Sequence, residues 1–154
     1  MIITICSSIK FWPKIIEVKK QLEDLGHEVL IPPHEVPNKD GEMIPVEEYY
    51  RIRKEMVEWG ENIDWVWERK EQAIKWHLEK VNNADVILVL NFDKNNIPNY
   101  IGGNTLIEVG VAFWLKKPIY LYNPIPEDIS YFEEIKSMRP IVINGDLTLI
   151  TSRK

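Results

Sequence analysis

Val86-Ile87-Leu88-Val89-Leu90 is five apolar residues in a row, set between Ala84-Asp85 and the polar stretch that opens with Asn91-Phe92-Asp93. A strand with one wet face alternates apolar and polar residues. One that is apolar throughout is covered on both faces, as a buried strand of a parallel sheet is. Upstream, residues 2–6 form a short β-rich run, and Pro13 stands where a helix can begin. Ile15, Ile16, Val18, Leu22 and Leu25 then fit an amphipathic helix closed by Gly26, and residues 27–31 read as a second strand stopped by Pro32-Pro33. Downstream, 104–116 reads as a helix ending before Pro118, 119–122 as a strand, and 140–143 as a last strand before Asn144-Gly145.

Between these parts, 32–45 is loop-like, carrying Pro32, Pro33, Pro37, Asn38, Asp40 and Gly41. Helices are expected over about 46–59 and 64–81, a turn at Asn82-Asn83, and a long polar loop over 91–103. No internal repeat or low-complexity segment occurs. Strands alternating with helices predict an α/β fold: a Rossmann-like, flavodoxin-like parallel sheet of four to five strands with helices on both faces. The expected organisation is a single domain over 1–154 with a helical insertion at about 46–72.

A chain of 154 residues, 45% hydrophobic and 28% charged, fits one soluble globular domain. A net charge of −5 and a pI near 5.3 argue against a broad nucleic-acid surface, although a small phosphorylated ligand needs only a few aimed donors. Cys6 is the single cysteine, so neither an internal disulfide nor a cysteine metal cluster is expected. The first residues have no basic n-region, and their apolar run is too short for a signal peptide or a membrane span; the expected location is cytoplasmic. Two glutamines beside abundant Lys, Glu and Ile suit a thermophile.

Ligands of open α/β sheets bind beyond the carboxyl ends of the strands. That rule selects Ser7-Ser8, Asn91-Phe92-Asp93, Asn123-Pro124 and the stretch 102–108. Within the last, Glu108 stands out, because Leu106, Ile107, Val109, Val111, Ala112, Phe113, Trp114 and Leu115 make the helix around it apolar on every side. Such a helix is normally buried, and a carboxylate there is bonded or used. Two readings stay open. Thr105-Leu106-Ile107-Glu108 matches the capping box, in which the carboxylate returns a hydrogen bond to the N-cap amide. Alternatively Glu108 is a nucleophile or base near a helix N-terminus whose free amides, after Gly102-Gly103, face a ligand. Ser7 and Ser8 either donate to a phosphate or sugar or cap the following helix. His77 reads as a surface or satisfied core histidine. Trp59, Trp65, Trp67 and Trp76 read as helix packing or a subunit interface, with base stacking as the alternative. The three histidines lack metal-ligand spacing, and no P-loop, G-x-G-x-x-G or G-x-S-x-G occurs.

Ala84-Asp85 ahead of the apolar strand, a loop, a glycine ahead of Glu108-Val109-Gly110-Val111-Ala112, and Lys117-Pro118-Ile119 together resemble the nucleoside 2-deoxyribosyltransferase superfamily. That superfamily includes the deoxynucleoside 5′-monophosphate N-glycosidases. The resemblance covers about 73–124, with a compatible β-α-β start at 1–31. It implies that Glu108 is the nucleophile that attacks C1′ of the deoxyribose and forms a glycosyl ester while the base leaves, assisted by a proton donor. It gives His77 the acid/base role, at a position where the family usually has an aspartate. It puts Ser7, Ser8, Asp93, Gly102, Gly103, Asn104 and Thr105 around the substrate. Asp85 reads as structural, at the start of its strand. Gly102 stands where nucleoside enzymes have an aspartate and nucleotide hydrolases tend to have a serine, which eases admission of a 5′-phosphate. Cys6-Ser7-Ser8 replaces the usual Gly-rich element. No metal or organic cofactor is implied. The expected partners are a small nucleoside or nucleotide and a second copy of the chain, in a homodimer or higher homo-oligomer, with no membrane and no nucleic-acid polymer. The rival reading is a non-catalytic nucleotide-binding sensor or regulatory module on the same fold.

Overall fold

The computed structural model describes residues 1–59 and 64–151, Trp59 by its backbone only. In chain order the elements are β1 (Ile2–Ser7), α1 (Trp12–Asp24), β2 (Glu28–Leu30), β3 (Glu35–Pro37), β4 (Met43–Pro45), α2 (Val46–Trp59), α3 (Asp64–Asn83), β5 (Val86–Leu90), α4 (Gly103–Trp114), β6 (Ile119–Leu121), α5 (Phe132–Ser137) and β7 (Ile141–Val142). The chain divides into two compact units, one of 1–32 with 78–154 and one of 33–77.

The first unit holds a five-stranded sheet ordered β2-β1-β5-β6-β7, every pairing parallel. This is the doubly wound, flavodoxin-like order, and its switch point falls between β1 and β5. Those two strands pair from Ile3↔Val86 to Ser7↔Leu90. Alternation along each strand sorts the core into two layers. Ile3, Ile5, Val86, Leu88, Leu90 and Tyr120 pack with Ile15, Val18 and Leu22 of α1. Cys6, Ile87, Val89, Ile119 and Leu121 pack on the other face with Val81 of α3, Val109 and Ala112 of α4, and Ile135 of α5. The apolar run Val86–Leu90 is buried at all five positions.

Local chemistry sets the ends. α1 closes on Gly26 at φ 85°, where His27 N donates to Leu22 O at 3.1 Å and Gly26 N to Glu23 O at 2.9 Å, the paired bonds of a Schellman motif. α4 stops the same way with Lys116 at φ 57°, as Lys117 N reaches Ala112 O at 2.9 Å and Lys116 N reaches Phe113 O at 3.0 Å. Asp85 Oδ2 accepts the Ile2 amide at 2.7 Å, tying β1 to the start of β5. The one polar side chain buried within β1, Thr4, donates to Lys80 O at 2.9 Å.

Several expectations are corrected. Asn82-Asn83 is not a turn, because α3 runs through Asn83 and Lys117 Nζ takes up the carbonyls of Asn82 and Ala84 at its end. The segment read as loop holds an antiparallel hairpin, β3 with β4. Its tip is built by Asn38, whose Oδ1 accepts from the amides of Asp40 and Glu42, both at 2.9 Å. The prolines are tolerated because a two-stranded hairpin has only edge strands. The six-residue α5 was unforeseen. The helix around Glu108 is not buried all round: Ile107, Phe113 and Trp114 are 47%, 53% and 82% exposed.

In the second unit, β3 and β4 lead into α2, and buried Tyr49 of α2 donates to Val66 O of α3 at 2.7 Å. Trp65 meets the Tyr49 ring edge-on at 6.4 Å, and Trp67 is half exposed. Among the described residues no helix is long and apolar enough to cross a membrane.

Candidate active site at the carboxyl edge of the sheet

The carboxyl ends of β1, β5 and β6 are fastened by polar side chains. Ser7 Oγ donates to Leu90 O at 3.0 Å, closing β1 onto β5. Asn91 is buried and pairs reciprocally with the chain beyond β6. Its Nδ2 donates to Asn123 O at 3.0 Å and Pro124 O at 2.8 Å, its Oδ1 accepts Asn123 N at 2.9 Å, and Asn123 Nδ2 returns a bond to Asn91 O at 3.0 Å. Phe92 meets Phe11 at 5.4 Å and Tyr122 at 5.2 Å, an aromatic layer across the same edge.

The loop after β5 is built rather than slack. Asp93 Oδ1 accepts Asn99 N at 2.9 Å, Lys94 and Ile97 exchange backbone bonds, and Asn95, Asn96 and Asn99 take the left-handed conformation that asparagine tolerates best. Lys94 Nζ donates to Ser8 Oγ at 2.9 Å and lies 5.0 Å from the centre of the Tyr100 ring. Burial and the nearby Lys10 charge lower the Lys94 pKa. Ser8 leads into the short turn Ile9–Phe11, but its side chain makes no cap bond, so the capping alternative for Ser8 is not realised.

The start of α4 bears on the capping reading of Glu108. Its N-cap is Gly102, extended at φ −85° and ψ 170°, with no side-chain cap. Thr105 is the third residue inside the helix and buried, so it cannot serve as N-cap, and Glu108 lies a turn too deep to reach back to Gly102. The capping box is therefore absent. A Cβ on Gly102 would meet Tyr100 Cε1 at 3.2 Å and Oη at 3.3 Å, so the glycine lets that ring lie close to the helix start. Gly103 has open space around its Cα, and Gly103 and Asn104 are exposed.

Half-buried Glu108 accepts a hydrogen bond from the Cys6 thiol, with Sγ and a carboxylate oxygen within 4.8 Å. Burial first, then the Glu108 charge and this hydrogen bond, raise the Cys6 pKa well above its usual 9.0, so the thiol stays protonated as a donor. His77 is buried on α3, the last residue of the 33–77 unit. One turn further on, Lys80 Nζ donates to Ile31 O at 2.8 Å.

The structure thus gathers Ser7, Ser8, Asp93 and the 102–105 stretch along one edge of the sheet unit, with Glu108 further along α4. Ser7 and Asp93 already spend an oxygen on the fold. Lys94 and Cys6 were missed. Lys94 lies in a loop whose pattern is merely polar, and no local pattern pairs Cys6 with Glu108.

The fold class this edge belongs to is that of the flavodoxin-like α/β proteins. A solved 2-deoxyribosyltransferase from the psychrotolerant bacterium Bacillus psychrosaccharolyticus shares the fold, with a TM-score of 0.58 and 20% identity over 93% of this chain and 85% of that one. It is a protein of the kind that the motifs around Glu108 resemble. No family model and no curated protein matches the chain.

Proposed function

We propose that the protein cleaves or transfers the N-glycosidic bond of a deoxynucleoside or its 5′-monophosphate. The observation that carries the reading is Glu108: a half-buried carboxylate among the apolar residues of α4, outside its N-cap and hydrogen-bonded by the Cys6 thiol. In this reading its oxygen attacks C1′, the C1′–N bond breaks, and the base leaves with the bonding electrons and takes a proton from a donor. Water or a second base then attacks C1′, gives its proton back to that donor and frees the carboxylate, as in retaining glycosidases. Gly103 and Asn104, exposed at the uncapped start of α4, are the groups of the rim best suited to meet the sugar or its phosphate.

We also infer a homodimer or higher assembly. The sequence expects Trp59, Trp65 or Trp67 in the contact; the Trp59 side chain lies outside the described residues, and Trp65 packs on Tyr49. The exposed apolar side of α4, with Ile107, Phe113 and Trp114, is the stronger candidate for a face covered by a second copy.

The test is incubation of the protein with a panel of deoxynucleosides and deoxynucleoside 5′-monophosphates, followed by chromatography for free base. Release of base supports the enzyme. Binding without release supports the non-catalytic sensor.

A further inference from the structure

Among the described residues Lys94 is a lysine without a counter-ion. It is half-buried, its pKa is lowered by that burial and by Lys10, and no carboxylate among the described residues forms an ion pair with it. The neighbouring Asp93 points its Oδ1 at the Asn99 amide instead. Drawing an ammonium partly out of water without an anion is unfavourable, and such groups are normally paired. Two other partly buried lysines, Lys80 and Lys117, spend their donors on backbone carbonyls that close the fold. Lys94 spends one N–H on the Ser8 hydroxyl, and two N–H groups remain. The Ser8 hydroxyl, having accepted from Lys94, keeps its own proton to donate.

The position adds to this. Ser8 follows β1 directly and Lys94 lies four residues beyond β5, so the pair sits at the switch point of the sheet. The Tyr100 ring that carries Lys94 also backs Gly102, the uncapped N-cap of α4. One aromatic ring therefore joins an unpaired cation to a helix start with free amides, and both favour an anion.

We propose that Lys94, held by Ser8 and Tyr100, is the cation of a subsite for the phosphate of a phosphomonoester. The proposal rests on the deoxynucleotide reading only for what carries the phosphate, which there is the 5′-phosphate. A lysine donating to a phosphate oxygen is a charge-assisted bond, and its loss weakens binding about ten- to a hundredfold. Lys94 then separates a 5′-monophosphate from its nucleoside.

Calorimetric titration of the full chain with deoxynucleoside 5′-monophosphates, the matching nucleosides and inorganic phosphate tests it, on the parent, Lys94→Met, Lys94→Arg and Ser8→Ala. Lys94→Met should weaken the monophosphate about ten- to a hundredfold and leave the nucleoside unchanged. Lys94→Arg should keep most of the affinity, and Ser8→Ala should lose less than Lys94→Met. If Lys94→Met unfolds, the comparison passes to Ser8→Ala and to the salt dependence of the parent, where added salt should weaken the monophosphate alone. Equal losses for nucleoside and monophosphate, an unchanged monophosphate affinity, or a parent that binds neither monophosphate nor inorganic phosphate overturns the subsite. Lys94-dependent binding of inorganic phosphate without binding of any deoxynucleotide keeps the subsite and rejects the deoxynucleotide reading.

Discussion

Replacing Glu108 with glutamine isolates its chemistry from its packing. The side chain keeps its length, its half-buried position and an oxygen that can accept the Cys6 thiol proton. Because α4 is capped by Gly102 without any side chain, no helix-end bond is lost. The change weakens the charge-assisted hydrogen bond from Cys6 and removes a partly desolvated charge, two opposed effects, so stability should change by no more than about 1 kcal/mol. In a domain of this size that shifts the melting temperature by roughly 2–4 °C. An amide cannot supply the anionic oxygen that attacks C1′. Base release should fall on the order of a thousandfold or more, which is about 4 kcal/mol of barrier. The assay is chromatographic release of base from the best substrate of the panel, beside calorimetric binding and a thermal melt. A Glu108→Gln protein that folds, binds and releases base at the parent rate would refute the assignment.

Other outcomes can be read from single sites. The raised Cys6 pKa means that the folded state keeps this proton more tightly than the unfolded chain, so its contribution is complete below the usual 9.0 and is lost as pH rises toward the folded value. Denaturant midpoints for the parent should therefore fall faster above pH 9 than those for Cys6→Ser, and parallel curves would refute the protonated thiol. Lys116 holds the left-handed position after α4, where a Cβ is strained, so Lys116→Gly should leave stability equal or raise it by about 0.5–1 kcal/mol in chemical denaturation. A clear loss would mean that the Lys116 side chain contributes a contact of its own. Trp114→Glu puts a charge on the exposed side of α4 and should lower the mass seen by sedimentation at micromolar concentration. A monomeric parent, or a mass unmoved by the substitution, removes α4 as the joining face.

The parallel sheet was legible in the sequence. Both-face burial leaves a mark that is local, an unbroken apolar run, and β5 shows it at every position. The β-α-β start was legible for the same reason: the spacing of Ile15, Val18 and Leu22 and the Gly26 stop are properties of adjacent residues. The hairpin β3–β4 was hidden, because its prolines read as loop until the segment is seen to have only edge strands. α5 was hidden by its length, too short for a period to emerge.

Around the candidate site the sequence by itself determined which loops reach the carboxyl edge and that Glu108 sits on an apolar helix. It left open whether that carboxylate caps the helix, since Thr105-x-x-Glu108 satisfies the spacing of a capping box. Only the tertiary structure decided this, by starting α4 at Gly103 with Gly102 as N-cap, where the Tyr100 ring that lies close to Gly102 also carries Lys94. The Cys6 bond to Glu108 and the Lys94 bond to Ser8 join residues 102 and 86 positions apart. Their partners are chosen by the crossover of the sheet between β1 and β5 and by the packing of α4 on its face, which no local pattern encodes.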